Sequence, residues 1–136
     1  MYANAWGGGR VSGSTRVKNY GAIDNSSKWK VKPVSGSPGK YNIQIHDSPL
    51  YINTHGGHRE NAHQQLYGST SDASSQWEFE RSLKRPGHYY IKAVGKPYYM
   101  HTRYGSGSGN QLDLHKCPKD KNHPYCQWKI LPQPTQ

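Results

Sequence analysis

Apolar residues along this chain come in short alternating runs, with no convincing helical period. "SKWKVKP" (residues 27–33), "KYNIQIH" (40–46), "SQWEFER" (75–81), "HYYIKAV" (88–94) and "CQWKILP" (126–132) each set apolar or aromatic residues two apart, with polar or charged residues between them. A period of two puts the alternate side chains on one face of a β-strand. Trp29, Trp77 and Trp128 are each followed two positions later by an apolar partner, Val31, Phe79 and Ile130. The pattern predicts that each tryptophan and its partner turn into a shared core.

The runs recur. The three tryptophans are spaced 48 and 51 residues apart, and the longer interval contains Cys117 and Cys126. "YANAWGGGR", "YINTHGGHR" and "YYMHTRYGSG" align from Tyr2, Tyr51 and Tyr99, which stand 27, 26 and 29 positions before their tryptophans. Between these landmarks lie three further short strands, "TRVKNYG", "HQQLYGS" and "QLDLHKC". They end in Tyr20, Tyr67 and His115, and Asp24, Asp72 and Asp120 follow within five residues. "KYNIQIH" and "HYYIKAV" lead the second and third copies; the first copy shows no such strand, which was never present, has been trimmed from the N-terminus, or is supplied by another segment. Three repeats, roughly 1–39, 40–87 and 88–136, with about four short strands each, predict an all-β, pseudo-threefold β-trefoil as a single domain over 1–136. Three blades would not close an ordinary propeller, and a Greek-key sandwich would not need the period.

Composition agrees with that reading. The hydrophobic fraction is low at 32%, yet eleven Tyr and four Trp argue against disorder. Frequent Gly, Pro, Ser and Asn supply turns. No run approaches a membrane-spanning length, so membrane insertion is not expected, and "MYANAWGG" lacks the apolar core of a signal peptide, so the sequence is that of a mature or a cytosolic chain. Cys117 and Cys126 flank "CPKDKNHPYC" and read as a local disulfide, with free thiols as the alternative. The disulfide points to a secreted chain; free thiols would suit a cytosolic one. "NSS" at Asn25 is a glycosylation acceptor triplet.

On these landmarks the chain resembles the β-trefoil lectins. The ricin-B type carries Gln-x-Trp in each repeat; here Ser27, Ser75 and Cys126 hold the Gln position, so the likeness is architectural. "HGGHREN" (55–61) is similar to the His-x-x-Gly-Gly loop of the mussel-type lectins, or mytilectins, which also have a strand ending in His followed closely by Asp. The resemblance implies a galactose or N-acetylgalactosamine type of ligand, up to three sites, no cofactor and no catalysis.

The residues themselves suit a sugar. Asp72 can accept two hydroxyl hydrogens, His55 and Arg59 can donate, and Tyr67 can stack on C–H surface. Gly56 and Gly57 let backbone approach a ligand closely. The first copy offers Trp6, Gly8, Arg10, Tyr20 and Asp24; the third offers Arg103, Tyr104, His115 and Asp120. The copies differ in detail, which predicts unequal sites with the second or first strongest. The alternative is that the glycines only turn the chain and the Asp residues only cap loops.

Other chemistries fit less well. His55, His58 and His63 suggest zinc, but no Cys or carboxylate completes the set, so no metal is expected. Phosphate-loop and nucleophile motifs are absent, and Asp24, Asp72 and Asp120 stand too far apart in a threefold fold to act as paired glycosidase carboxylates. The formal net charge is +10, with Lys28, Lys30 and Lys32 in one cluster and Lys116, Lys119 and Lys121 in another. Sulfated or other heparin-like polyanionic glycans are therefore a second ligand class. The clusters fall on different repeats, so specific nucleic-acid binding is not expected. An actin-binding scaffold trefoil is a further alternative. The first repeat's lack of a leading strand leaves a barrel edge that favours a homodimer or another partner strand. The sequence thus predicts a multivalent agglutinin whose partners are glycans or glycoconjugates.

Overall fold

The computed structural model describes residues 2–102, 109–117 and 123–131. Among the described residues eleven strands carry the fold: β1 (Tyr2–Ala5), β2 (Val17–Tyr20), β3 (Trp29–Pro33), β4 (Tyr41–Ile45), β5 (Tyr51–Thr54), β6 (Gln64–Tyr67), β7 (Trp77–Arg81), β8 (His88–Ala93), β9 (Tyr99–Thr102), β10 (Leu112–His115) and β11 (Trp128–Lys129). Short 3₁₀ turns precede β3, β7 and β11, and among the described residues there is no α-helix. None of the described helices is long and apolar enough to cross a membrane.

Every alternating run is a strand. β1–β2, β5–β6 and β9–β10 are antiparallel hairpins with matching registers: Tyr2 faces Tyr20, Tyr51 faces Tyr67, and Tyr99 faces His115. β3–β4 and β7–β8 form longer pairs, with Val31 opposite Ile43 and Phe79 opposite Ile91. The hairpins contact one another head to flank. Gly13 N–H donates to the Leu66 carbonyl at 2.8 Å, Asn61 N–H to Leu114 at 2.8 Å, and Asn19 N–H to Asn110 at 2.9 Å. The tip of each hairpin therefore abuts the second strand of another, and the three close a ring.

The core draws on all three copies: Ala5, Ile52 and Met100 from the first hairpin strands, and Val17, Leu66, Leu112 and Leu114 from the second. The three tryptophan indoles donate to equivalent carbonyls, Trp29 to Ala3 at 3.0 Å, Trp77 to Ile52 at 3.2 Å and Trp128 to Met100 at 3.0 Å. Burial is not equivalent. Trp77 is fully buried, whereas Trp29 and Trp128 are only partly covered. Their partners Val31 and Ile130 are each 43% exposed, against the expectation that they fill the core. Both side chains border a cavity that also reaches Ile43, Ile52 and Met100.

The expected disulfide joins Cys117 to Cys126. It ties the end of β10 to the 3₁₀ turn before β11, beside Tyr90 and Tyr99.

Candidate functional site

The predicted site residues fall at two ends of the hairpins. In the second copy, His55, Gly56, Gly57 and Arg59 make the tip, whereas Tyr67 ends β6 at the base and Asp72 lies just beyond it. Four strand positions separate His63, which pairs with His55 at the tip, from Tyr67, or roughly 13 Å at ~3.3 Å per residue. Gly56 and Gly57 have φ of 74° and 94°, the left-handed region that favours glycine. A Cβ on Gly56 would also come within 3.0 Å of the Arg59 guanidinium.

The tip histidines do not converge. His55 stacks on His63 with ring centroids 4.7 Å apart, and its Nδ1 lies 3.3 Å from Gln65 Oε1. His58 turns inward instead. Its ring meets Trp77 edge-on at 4.9 Å, Nδ1 lies 2.9 Å from Thr54 Oγ1, and Nε2 donates to the Gln76 carbonyl at 3.2 Å. Burial holds its pKa below the ordinary 6.5. Among the described residues no group of three or more His, Cys, Asp or Glu is arranged to hold a metal ion.

In the first copy tip and base do meet. The Trp6 indole lies back along the hairpin, 6.0 Å from the Tyr20 ring in an edge-on contact, with Lys18 Nζ 5.3 Å from its centroid. Gly109, from the tip of the third hairpin, flanks it; a Cβ there would press to 3.3 Å from the indole. Gly8 has a φ of 74° in this tip. Arg10 is occupied by scaffold. It donates to the carbonyls of Gly8, Gly9, Asn25 and His46 and to Ser26 Oγ, at 3.0–3.4 Å.

The base of each hairpin repeats one arrangement of side chains. Tyr20 and Tyr67 are each 37% exposed at the same hairpin position, and His115 takes that position in the third copy. Beside each stands the residue that precedes the 3₁₀ turn: Asp24, Asp72 and His123. Asp24 is a working cap, its Oδ1 accepting from Ser26 N–H at 2.8 Å and from Asn4 Nδ2 at 3.2 Å. Asp72 makes no side-chain cap bond and is exposed. Its carboxylate therefore remains available, while Asn53 bridges to Ser74 and Ser75 at 3.0 and 2.8 Å beneath it. The neighbouring hairpin tip closes one side, since Ser12 Oγ accepts from Gly68 N–H at 3.1 Å.

The third cleft is the most densely functionalised. His101 Nδ1 donates to the buried Asp113 carboxylate at 2.8 Å. The His101 ring lies 4.7 Å from His115 and 5.8 Å from His123, and Tyr125 packs 5.4 Å beyond His123. His123 caps its turn by accepting from Tyr125 N–H at 3.2 Å, which requires an unprotonated Nδ1. Its pKa is accordingly lowered, first by desolvation and then by the nearby His101 and His115. Arg103, Tyr104 and Asp120 lie outside the described residues.

Sequence reasoning missed Asn4, Lys18, Asn53, Gln65, His101, Asp113 and His123. A signal for the last was present. Asp24, Asp72 and His123 each stand five residues before their tryptophan, so His123, not Asp120, is the third counterpart.

A closed ring of three hairpins, each with a ring and a cap residue at its base, makes this chain a β-trefoil with a candidate binding surface in each copy. The chain belongs to the ricin-type β-trefoil lectin domain-like family, whose sequence model matches residues 25–115. No curated protein matches it significantly. Among solved structures, the designed threefold-symmetric protein ThreeFoil superposes with a TM-score of 0.85 at 12% identity, over 96% of this chain and 90% of that one. A Macrolepiota procera ricin B-like lectin in complex with lactose gives 0.74 at 9% identity, over 93% and 84%. SeviL bound to asialo-GM1 saccharide gives 0.62 at 15% identity, over 87% and 79%.

Proposed function

We propose that this protein is a non-catalytic lectin that binds terminal galactose-type sugars of glycoconjugates through its hairpin-base clefts. The observation that carries the reading is recurrence. The same base position holds a half-exposed ring in each copy, Tyr20, Tyr67 or His115, and hydrogen-bonding side chains stand beside it. Such a cleft offers a flat face for sugar C–H surface and planar partners for vicinal hydroxyls. Lectins of similar fold solved with lactose and with asialo-GM1 saccharide support the ligand class.

The three sites are unequal. The first presents the Trp6–Tyr20 platform, the second the uncommitted Asp72 carboxylate, and the third a cluster of three histidine rings. Weak single sites sum on a glycan-covered surface through effective concentration, so the protein agglutinates. The disulfide fits secretion. The test is a glycan array read at low and high salt with wild type beside Asp72→Ala. Salt-resistant binding to one terminal sugar family, weakened by the substitution, supports the reading.

A second reading has its own observation. Lys30 and Lys32 lie on β3 and Lys28 immediately before it. Binding confined to sulfated or sialylated glycans, lost in salt and indifferent to Asp72→Ala, would assign function to these lysines as a polyanion surface.

A further inference from the structure

The triplet "NSS" at residues 25–27 is the one Asn-x-Ser/Thr acceptor sequence in the chain. The fold makes it the short 3₁₀ turn that follows β2. Asp24 Oδ1 caps that turn, and Ser26 is buried, its Oγ accepting from Arg10 at 3.1 Å. Asn25 takes the outward place. It is exposed, Lys28 Nζ donates to its Oδ1 at 3.4 Å, and its Nδ2 makes no hydrogen bond among the described residues. The corresponding turn positions of the other copies are Ala73 and Pro124, which carry no amide side chain. Only the first copy therefore offers an attachment point at this place beside its hairpin base.

We propose that Asn25 carries an N-linked oligosaccharide, and that this glycan covers the first binding surface while leaving the other two open. The proposal rests on the secretion reading, which the Cys117–Cys126 disulfide supports. Attachment joins Asn25 Nδ2 to the anomeric carbon of an oligosaccharide carried as a lipid diphosphate. The anomeric C–O bond breaks, the diphosphate leaves with its electron pair, and the amide nitrogen gives up one proton. No packed group has to move, because the acceptor side chain already stands in solvent. Asp24 is the preceding residue, its Cα about 3.8 Å away, and Tyr20 ends the strand that leads into the turn. A branched oligosaccharide is far larger than that separation, so it screens the Trp6–Tyr20 platform from other ligands.

The test expresses the full chain behind a secretion signal in eukaryotic cells and reads intact mass before and after peptide-N-glycosidase. Wild type should lose the mass of one glycan on digestion, and Asn25→Gln should have none to lose. Hydroxyl-radical footprinting then measures the cover without needing a ligand. Tyr20 and Tyr67 are each 37% exposed, so in Asn25→Gln their oxidation rates should stand in a ratio near one. In glycosylated wild type Tyr20 should fall well behind Tyr67. Ala73→Asn turns residues 73–75 into the same triplet on the matching turn of the second copy, so it should add a second glycan and slow Tyr67 as well. A chain secreted with its disulfide closed but bare at Asn25 overturns the proposal and leaves the secretion reading standing. A chain retained in the cell with both cysteines reduced overturns the two together. A glycan at Asn25 that leaves the ratio near one shows that the first surface stays open, which also overturns the proposal.

Discussion

Replacing the three repeat tryptophans by phenylalanine, one at a time, compares the same substitution in three settings that differ chiefly in cover. Each indole donates to an equivalent carbonyl, Ala3, Ile52 or Met100, at 3.0–3.2 Å. Loss of that bond is therefore common to all three variants. At Trp77 the carbonyl is left buried, at about 1–3 kcal/mol. The lost ring area adds about 1 kcal/mol, and the space left in a closed core about 1 more. Trp77→Phe should thus cost about 3–4 kcal/mol. Trp29 and Trp128 border the cavity, where water can reach the carbonyl and the ring was never fully covered. Their substitutions should cost about 1 kcal/mol each. Urea unfolding followed by far-UV circular dichroism measures all three without relying on indole fluorescence. Equal costs, or a smaller one at Trp77, would refute the argument that exposure to the cavity unloads Trp29 and Trp128.

The remaining predictions concern the clefts and their supports. Asp24→Ala should lower stability by about 1 kcal/mol through the lost cap, whereas Asp72→Ala should leave the unfolding midpoint nearly unchanged and weaken sugar binding. Equal stability losses would mean that Asp72 is a scaffold residue too. Cys117→Ser with Cys126→Ser should cost about 2–3 kcal/mol, the loop being short, and should alter ligand binding at the third cleft before the others. Burial holds His58 neutral below pH 6.5, where the unfolded chain takes up a proton. Stability should be full above about pH 6.5 and fall as pH drops toward the lowered folded value, by at most about 1.4 kcal/mol per pH unit. His58→Gln should flatten this slope in a pH series of urea titrations, leaving the same-signed residue from His123.

Period and pattern made the fold legible. Strand alternation, the recurring tyrosines and the tryptophan spacing place all eleven strands, because those signals depend only on which residues must share a face. The site was less legible. "HGGHREN" looked like one constellation, yet a hairpin sends its tip and its base to opposite ends, and neighbours in sequence part company there. Trp6 rejoins Tyr20 only because an indole is long enough to lie back over Lys18.

The sequence by itself determined the repeat, the strand faces and the disulfide partners, since each follows from local periodicity or from there being only two cysteines. The tertiary structure decided the rest. It turned His58 onto Trp77 rather than toward His55, and it set His123 at the cap position. It also gathered His101, Asp113 and His115 from two strands, and left Val31 and Ile130 exposed at the edge of a cavity. These outcomes depend on which elements pack together, and alternation along one segment carries no record of its neighbours across the barrel.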